Sequence, residues 1–256
     1  MPEDLLKLAP PLPDLCIPYG PDPCQFGELR LASGKRQFAT VMNIHGGFWR
    51  NKYDLKHAGH FCAALSAIGF AVWNIEYRRV NDPGAGWPAS FNDICQAWRF
   101  IWRLEQEYEV SAQKIIVAGH SAGAQLALCL AAREPSLEAV VSLAGIVDLE
   151  RAWHLRLSGD AVAEFLGGSP TEVPQHYRAA DPMRLNLPGV LQTLIHGTED
   201  TTVPAVFSRS YCKKKKKAGE DVRLVEISEA DHFDVIDPRS AAWLTIEHKI
   251  SELVGR

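Results

Sequence analysis

The sequence has few of the features that mark a membrane, secreted or nucleic-acid-binding protein. No apolar run reaches the roughly 20 residues that a membrane-spanning helix needs. The first residues, MPEDLLK, lack the basic and apolar segments of a secretory signal peptide. The net charge of -4 gives no overall attraction to nucleic acid or to an anionic membrane. We therefore predict a cytoplasmic protein whose partner is a small-molecule substrate, with no nucleic-acid and no membrane partner, and leave a homodimer open.

Cysteine is sparse and scattered. Six cysteines occur in 256 residues, and a chain of this length can bury a sufficient core without disulfide bonds. Cys62, Cys95 and Cys129 lie in apolar, helix-like segments. We interpret all six as reduced thiols, with a disulfide between Cys16 and Cys24 as the main alternative.

Length and composition favour one enzyme domain over residues 1–256, because 46% of the residues are hydrophobic and α/β domains of this size are commonly single. Residues 1–25 hold seven of the sixteen prolines, which exclude a helix and predict an N-terminal arm lying extended along the body. Residues from about 148 to 188 interrupt the later rhythm of strands and helices. This stretch is too long for an ordinary connection, so we predict a cap insertion over the site.

Strand-like apolar runs and helix-like periodic runs alternate along the rest of the chain. We predict strands at residues 27–32, 39–44, 69–75, 114–118, 138–144, 190–196 and 221–227. We predict helices at residues 55–68, 90–108, 121–133, 204–218 and 239–253. This alternation is typical of an α/β fold with a mostly parallel, twisted sheet, helices on both faces, and ligands at the carboxyl ends of the strands.

The most informative segment is GHSAG at residues 119–123, which joins the apolar run 114–118 to the helix-forming run 124–128. A Gly-x-Ser-x-Gly between a strand and a helix is the pattern of a nucleophile elbow. The flanking glycines permit a sharp turn that holds the serine hydroxyl clear of the sheet. Ser121 is therefore the predicted nucleophile.

An acid and a base follow Ser121 along the chain. A serine hydroxyl needs a base within hydrogen-bond reach, and that base needs an acid that holds it in one tautomer. His232 follows the strand run 222–227 and is the predicted base, while Asp200 follows the run 190–195 and is the predicted acid. The order Ser, Asp, His is that of an α/β-hydrolase triad.

Other residues could take these two roles. Asp148 also follows a strand, where some hydrolases place the acid, and Glu199 is the neighbour of Asp200. His45 and His120 flank the predicted site, but neither follows the last strands, so we interpret both as structural hydrogen-bonding residues.

The segment HGGFW at residues 45–49 follows an apolar strand and can direct main-chain N–H groups at a developing oxyanion. The N–H of Ala122, at the start of the elbow helix, supplies a further donor. This chemistry needs no cofactor, and none is predicted. His57 and His60 have an i, i+3 spacing that could pair them on a metal, but no third ligand is apparent, so no metal site is predicted. We interpret the lysine run 213–217 as a solvated helix end that suits the helix dipole.

The segment HGGFW resembles the HGGxW motif of the α/β-hydrolase kynurenine formamidases (arylformamidases) and of related small acetyl-esterase-like hydrolases. The similarity extends over about residues 38 to 250, through EYRR, GWPA with Asp93, HGTED with a Val-Pro pair, and DHF. It implies an α/β-hydrolase fold and an oxyanion hole formed by the N–H groups of Gly47, Phe48 and Ala122. The hormone-sensitive-lipase-like branch has a third glycine where this chain has Phe48, which favours the formamidase-like side.

Together these features predict a serine hydrolase that cleaves a small acyl ester or an aryl formamide, similar to N-formylkynurenine, through an acyl-enzyme on Ser121. Its substrate pocket is predicted to include Trp49, Trp87 and Phe233. One alternative is a non-catalytic α/β-hydrolase-fold protein that binds a small ligand. Another is a peptidase of the prolyl-oligopeptidase type, although no propeller segment precedes the catalytic motifs.

Overall fold

The computed structural model describes residues 2–33, 39–108 and 110–255, so the first residue of the predicted arm and the last residue of the predicted domain lie outside the description. In chain order the strands are β1 (Leu15–Pro18), β2 (Phe26–Arg30), β3 (Thr40–Ile44), β4 (Ala71–Ile75), β5 (Ile115–His120), β6 (Ala139–Leu143), β7 (Leu191–Gly197) and β8 (Val222–Ile227). The helices are α1 (Gly59–Ala67), α2 (Ala89–Glu107), α3 (Ala122–Arg133), α4 (Leu149–His154), α5 (Ala161–Leu166), α6 (Pro174–Ala180), α7 (Val206–Lys217) and α8 (Trp243–Ser251). Short 3₁₀ helices cover Pro2–Lys7, Leu55–Ala58, Pro182–Arg184 and Asp234–Ile236.

Within the described residues, eight strands form one sheet in the order β1-β2-β4-β3-β5-β6-β7-β8. Strands β3 to β8 are parallel to one another, whereas β1 and β2 form an antiparallel edge next to β4. The strands β3, β4 and β6 are buried at every position, as expected for parallel strands that are covered on both faces. The structure confirms the mostly parallel sheet, and each of the seven predicted strands is present.

The helices pack on both faces of this sheet. Because side chains alternate along a strand, Met42 of β3 joins the apolar cluster under α2 and α3, while Val41 joins the cluster under α1 and α8. In this way the sheet divides two cores, as the sequence predicts. No helix in the described parts of the chain is long and apolar enough to span a membrane.

The N-terminal arm is more structured than the sequence predicts. It begins with the 3₁₀ helix Pro2–Lys7, and β1 pairs with β2 as an additional edge strand. Between them, the buried side chain of Arg30 donates hydrogen bonds to the carbonyl oxygens of Pro11 and Leu12. The prolines exclude a long helix, but they do not exclude a 3₁₀ turn or a sheet edge, where a missing N–H is tolerated.

The cysteines are free thiols, and Cys16 and Cys24 are not bonded to each other. Cys16 lies exposed on β1, whereas the thiol of Cys24 lies 3.7 Å from a carboxylate oxygen of Asp82. The disulfide alternative is therefore wrong.

The insertion between β6 and β7 consists of short helices that pack against the body. The ring of Phe165 on α5 stacks on Trp49 with 4.7 Å between ring centroids, and the carbonyl oxygen of Ala180 on α6 accepts a 2.8 Å hydrogen bond from Gln125 on α3. The insertion is thereby held against the helix that follows the elbow.

A buried carboxyl at the end of this insertion makes the stability of the fold depend on pH. Burial and the nearby charge of Asp148 raise the pKa of Asp181 to about 6, although its carboxylate accepts hydrogen bonds from the N–H groups of Leu149 and Met183. The folded-state pKa lies above the unfolded value of about 3.9. The stabilising contribution of Asp181 is therefore complete below about pH 4 and is lost as the pH rises through about 6.

We expect the stability of Asp181→Asn, which keeps the accepting oxygen, not to show this decrease as the pH rises. The free energy of unfolding of the wild type, relative to the variant, should fall by roughly 2 to 3 kcal/mol between pH 4 and pH 7.5. Urea unfolding of both proteins at the two pH values measures the difference. Parallel pH dependences would contradict the assignment.

Candidate active site

The elbow at the end of β5 has the geometry that its sequence predicts. Ser121 adopts φ 55° and ψ -117°, in the left-handed region, directly before α3. A Cβ atom on Gly123 would lie 2.1 Å from the carbonyl oxygen of Ile44, and one on Gly119 would lie 2.3 Å from the carbonyl oxygen of Gly123. Both glycines are thus required by close main-chain packing, which holds Ser121 in its strained conformation.

The loop after β3 lies against this elbow. A Cβ atom on Gly46 would lie 2.9 Å from the carbonyl oxygen of His120, so only glycine allows this approach. The next three residues, Gly47, Phe48 and Trp49, have φ values of 109°, 52° and 57°. Such a run of left-handed residues is unfavourable for Phe and Trp and persists only where the surroundings hold it.

A buried carboxylate that the sequence analysis did not single out holds the loop. One oxygen of Glu76, which follows β4, lies 2.8 Å from His45 Nε2, and its other oxygen accepts hydrogen bonds from the N–H of Leu55 and from Arg79. Burial acts to raise the pKa of Glu76, but His45 and Arg79 outweigh it and lower the pKa. In the sequence analysis, Glu76 appeared only as part of the EYRR segment and was given no role.

The predicted acid and base are in contact. Nδ1 of His232 lies 2.7 Å from Oδ2 of Asp200, and Oδ1 of Asp200 accepts hydrogen bonds from the N–H groups of Thr202 and Val203. Burial acts to raise the pKa of Asp200, but hydrogen bonds from His196, His232 and the main chain outweigh it and lower the pKa to about 2. Asp200 is therefore ionised at neutral pH.

His196 is a second partner of this carboxylate that sequence reasoning missed. Its Nδ1 lies 2.7 Å from the hydroxyl of Ser208, and its Nε2 carries a proton because it faces a carbonyl oxygen, which can only accept. Nε2 lies 2.7 Å from the carbonyl oxygen of Val203 and 3.2 Å from Oδ2 of Asp200. The segment HGTED contains both His196 and Asp200, but no spacing rule indicates that this histidine turns back onto the acid.

The alternative acids and bases have other partners. The carboxylate of Asp148 accepts the N–H of Arg151 at 3.0 Å and caps α4, while Glu199 is exposed. His45 is fully buried against Glu76. The side chains of Asp148 and His45 thus make structural contacts, as interpreted from the sequence for His45.

One cavity of about 190 Å³ joins the predicted groups. Its lining residues are Gly47, Phe48, Arg50, Lys52, Tyr53, His57, Ser121, Ser158, Thr202, His232 and Phe233. The predicted nucleophile and base, two residues of the predicted oxyanion hole and Phe233 thus face a common space. The cationic residues Arg50 and Lys52 had no sequence signal beyond their place after the HGGFW segment.

Two of the predicted pocket residues lie elsewhere. Trp49 is fully buried, stacked on Phe165, and donates a 3.0 Å hydrogen bond to Gln125. Trp87 stacks on Phe91 with 5.1 Å between ring centroids. Neither is among the residues that line the cavity beside Ser121, so their predicted role is corrected to packing between the body and the insertion. The positive φ of Trp49 turns its ring inward, which aromatic composition could not indicate.

The two histidines that the sequence offered as a possible metal pair contact different groups. The His57 ring contacts His120, while Nε2 of His60 lies 3.4 Å from the carbonyl oxygen of Leu8.

In the lysine run, Lys215 is buried and donates a hydrogen bond to the carbonyl oxygen of Leu185, while its neighbours are exposed. The interpretation of this run as a solvated helix end is therefore wrong for Lys215, because that position faces the core side of α7.

Comparisons with known proteins agree with this architecture. The BD-FAE family model matches residues 30–214. Esterase LipQ of Mycobacterium tuberculosis is 25% identical over 242 residues, which cover 86% of this chain and 57% of LipQ. Neutral cholesterol ester hydrolase 1 of Pongo abelii is 30% identical over 95 residues, or 36% of this chain and 23% of that protein. The chain thus spans little more than half of the first relative and less of the second.

Solved structures show the same fold. Esterase B from Lactobacillus rhamnosis has a TM-score of 0.82 at 16% identity, covering 99% of this chain and 89% of that one. A truncated carbohydrate esterase from gut microbiota has a TM-score of 0.79 at 20% identity, covering 94% and 95%. The α/β-hydrolase fold is therefore confirmed. By its family match over residues 30–214, the chain belongs to the BD-FAE family, an esterase family of the α/β-hydrolase fold.

Proposed function

We propose that the chain is a serine hydrolase that cleaves small carboxylic esters through an acyl-enzyme on Ser121. The observation that carries this proposal is the single cavity that Ser121, His232 and Gly47 line together, with Asp200 bound to the far side of His232. Membership of an esterase family and the similarity to proteins described as esterases support the same chemistry.

Each group has a role in the reaction. The hydroxyl oxygen of Ser121 attacks the acyl carbon as His232 Nε2 takes its proton, and Asp200 stabilises the resulting imidazolium. The N–H groups of Gly47, Phe48 and Ala122 donate to the oxyanion, each donor being worth about 3 to 4 kcal/mol of barrier. His232 returns the proton to the departing alcohol. Water then attacks the acyl-enzyme by the same route and releases the acid and free Ser121.

The cavity favours a small acyl group. Its volume of about 190 Å³ is below the roughly 300 to 1,000 Å³ of drug-sized ligand sites. A second candidate substrate is an aryl formamide, because formyl is the smallest acyl group and the rings of Phe48, Tyr53 and Phe233 line the cavity. This candidate also rests on the resemblance of HGGFW to the formamidase motif.

A direct assay compares p-nitrophenyl acetate, p-nitrophenyl butyrate and N-formylkynurenine, with mass spectrometry after treatment with a fluorophosphonate. We expect turnover of the acetate ester and a label on the peptide that contains Ser121. Turnover of N-formylkynurenine at a comparable kcat/KM would identify the formamide as a substrate. A folded protein with neither label nor turnover would instead support the ligand-binding alternative, and cleavage of peptides would support the peptidase alternative.

We expect kcat/KM for p-nitrophenyl acetate to rise with pH along a limb of slope one, because His232 must be neutral to accept the Ser121 proton. Burial lowers the pKa of His57 to about 3 and that of His120 well below its usual range, and the pKa of Asp200 is lowered to about 2. These three groups therefore do not titrate between about pH 5 and 8, where histidine bases commonly do. Initial rates across that range test the expectation, and a limb of slope two would show that a second histidine titrates.

A further inference from the structure

Two buried histidines that take no part in the proposed reaction connect the 3₁₀ helix Leu55–Ala58 to the loop of His232. Nε2 of His57 lies 2.8 Å from Nδ1 of His120, and Nε2 of His120 lies 2.9 Å from the main-chain oxygen of His232. His120 is fully buried and His57 is 7% exposed. Two hydrogen bonds therefore link three segments that are distant in the chain.

The order of donors and acceptors along these two hydrogen bonds determines the tautomers of His57 and His120. A carbonyl oxygen can only accept, so Nε2 of His120 must carry a proton that it donates to His232. In a neutral ring Nδ1 of His120 is then an acceptor, and His57 must donate to it through its own Nε2–H. Both N–H donors of this hydrogen-bond chain therefore point toward His232.

The surroundings keep both rings neutral. Burial lowers the pKa of His57 and of His120, and the facing histidines lower it further. The titratable groups that face the pair are His45 and Tyr53 beside His57, and His196 and His232 beside His120. No carboxylate is among these facing groups within the described residues. The carbonyl oxygen of His232 acts to raise the pKa of His120, but burial and the facing histidines outweigh it.

His232 depends on contacts from two sides. Asp200 holds the imidazole at Nδ1, and His120 holds the main-chain carbonyl, while the residue lies in the loop between β8 and the 3₁₀ helix Asp234–Ile236. A displacement of about 1 Å in a catalytic group can lower the rate by about 10²-fold. Control of the main chain of His232 therefore matters for its reach to Ser121.

We propose that His57 and His120 are positioning residues that hold the base through the main chain of His232. This inference rests on the proposed function of His232. His57 is the more informative residue to replace, because its Nδ1 is buried without a hydrogen-bond partner among the described atoms. An unpaired buried acceptor is destabilising, so a role in stability alone does not explain a histidine at this position.

The test removes the N–H donor of His57 in one variant and restores an N–H donor in another. We expect His57→Phe to lower kcat for p-nitrophenyl acetate by about 10- to 100-fold, with KM changed less than about threefold and with the protein still folded at the assay temperature. His57→Gln, whose side-chain N–H can replace Nε2–H, should recover at least half of the loss on a logarithmic scale. The matched control His60→Phe, three residues along the chain, should leave kcat unchanged. Unchanged kcat in His57→Phe, or a rise in KM alone, would overturn the proposal.

A spectroscopic measurement needs no turnover. Imidazole ¹⁵N spectra of the wild type should show neutral, Nε2-protonated rings for His57 and His120 from pH 5 to 8, and His57→Phe should shift the signals of His120 and His232. Protonation of either ring in that range would overturn the proposal even if a variant failed to fold. If Ser121 is neither labelled nor required for turnover while these spectra are as expected, the proposed function fails and the hydrogen-bond chain stands.

Discussion

Ser121→Ala should lower kcat for p-nitrophenyl acetate by about 10⁴- to 10⁶-fold and leave the protein folded. The hydroxyl oxygen is the only atom removed, and the elbow persists because the glycines around it, rather than the serine side chain, allow its close packing. The remaining oxyanion donors and binding contacts retain only a small part of the catalysis. Initial rates at equal protein concentration, with circular dichroism to verify folding, measure the loss.

Ser158→Ala is a matched control for this variant. Ser158 also lines the cavity, and its hydroxyl accepts a 3.0 Å hydrogen bond from Arg50. The same chemical change at this position should alter kcat by less than about tenfold, because an exposed hydrogen bond of this kind contributes about 1 kcal/mol. Near-normal turnover by folded Ser121→Ala, or equal losses in the two variants, would overturn the assignment of the nucleophile.

Asp200→Asn should lower kcat by about 10⁴-fold. An asparagine amide can present N–H to Nδ1 of His232, and this favours the tautomer whose Nε2 already carries a proton and cannot accept one from Ser121. The amide oxygen can still accept the N–H groups of Thr202 and Val203, so the turn should persist. The comparison of kcat at pH 8, with the melting temperature as a check of folding, separates the catalytic from the structural effect.

Asp148→Asn provides the comparison at the alternative acid position. Asp148 caps α4, and asparagine is as good an N-cap as aspartate, so the start of α4 should persist and kcat should change little. A large loss in Asp148→Asn together with a small loss in Asp200→Asn would place the acid after β6 rather than after β7.

Local patterns in the sequence predicted the sheet, the elbow and the order of the three residues proposed as the triad. The strands β3 to β7 are rich in apolar residues and buried at nearly every position, as parallel strands covered on both faces are, and the carboxyl ends of parallel strands meet at one edge. Residues that follow β5, β7 and β8 were therefore expected to lie close together. Gly119 and Gly123 were informative because a close main-chain approach admits only glycine.

The sequence by itself thus determined the central strands, the helices between them and the edge of the sheet at which the candidate site lies. Only the tertiary structure decided which side chains line it. Trp49 and Trp87 pack under the insertion, whereas Glu76, His57 and His196 contact residues from other strands and loops. The reason is that periodicity records whether a position is buried, but the identity of its partner depends on how non-consecutive elements are brought together, here by the crossing order β4-β3-β5.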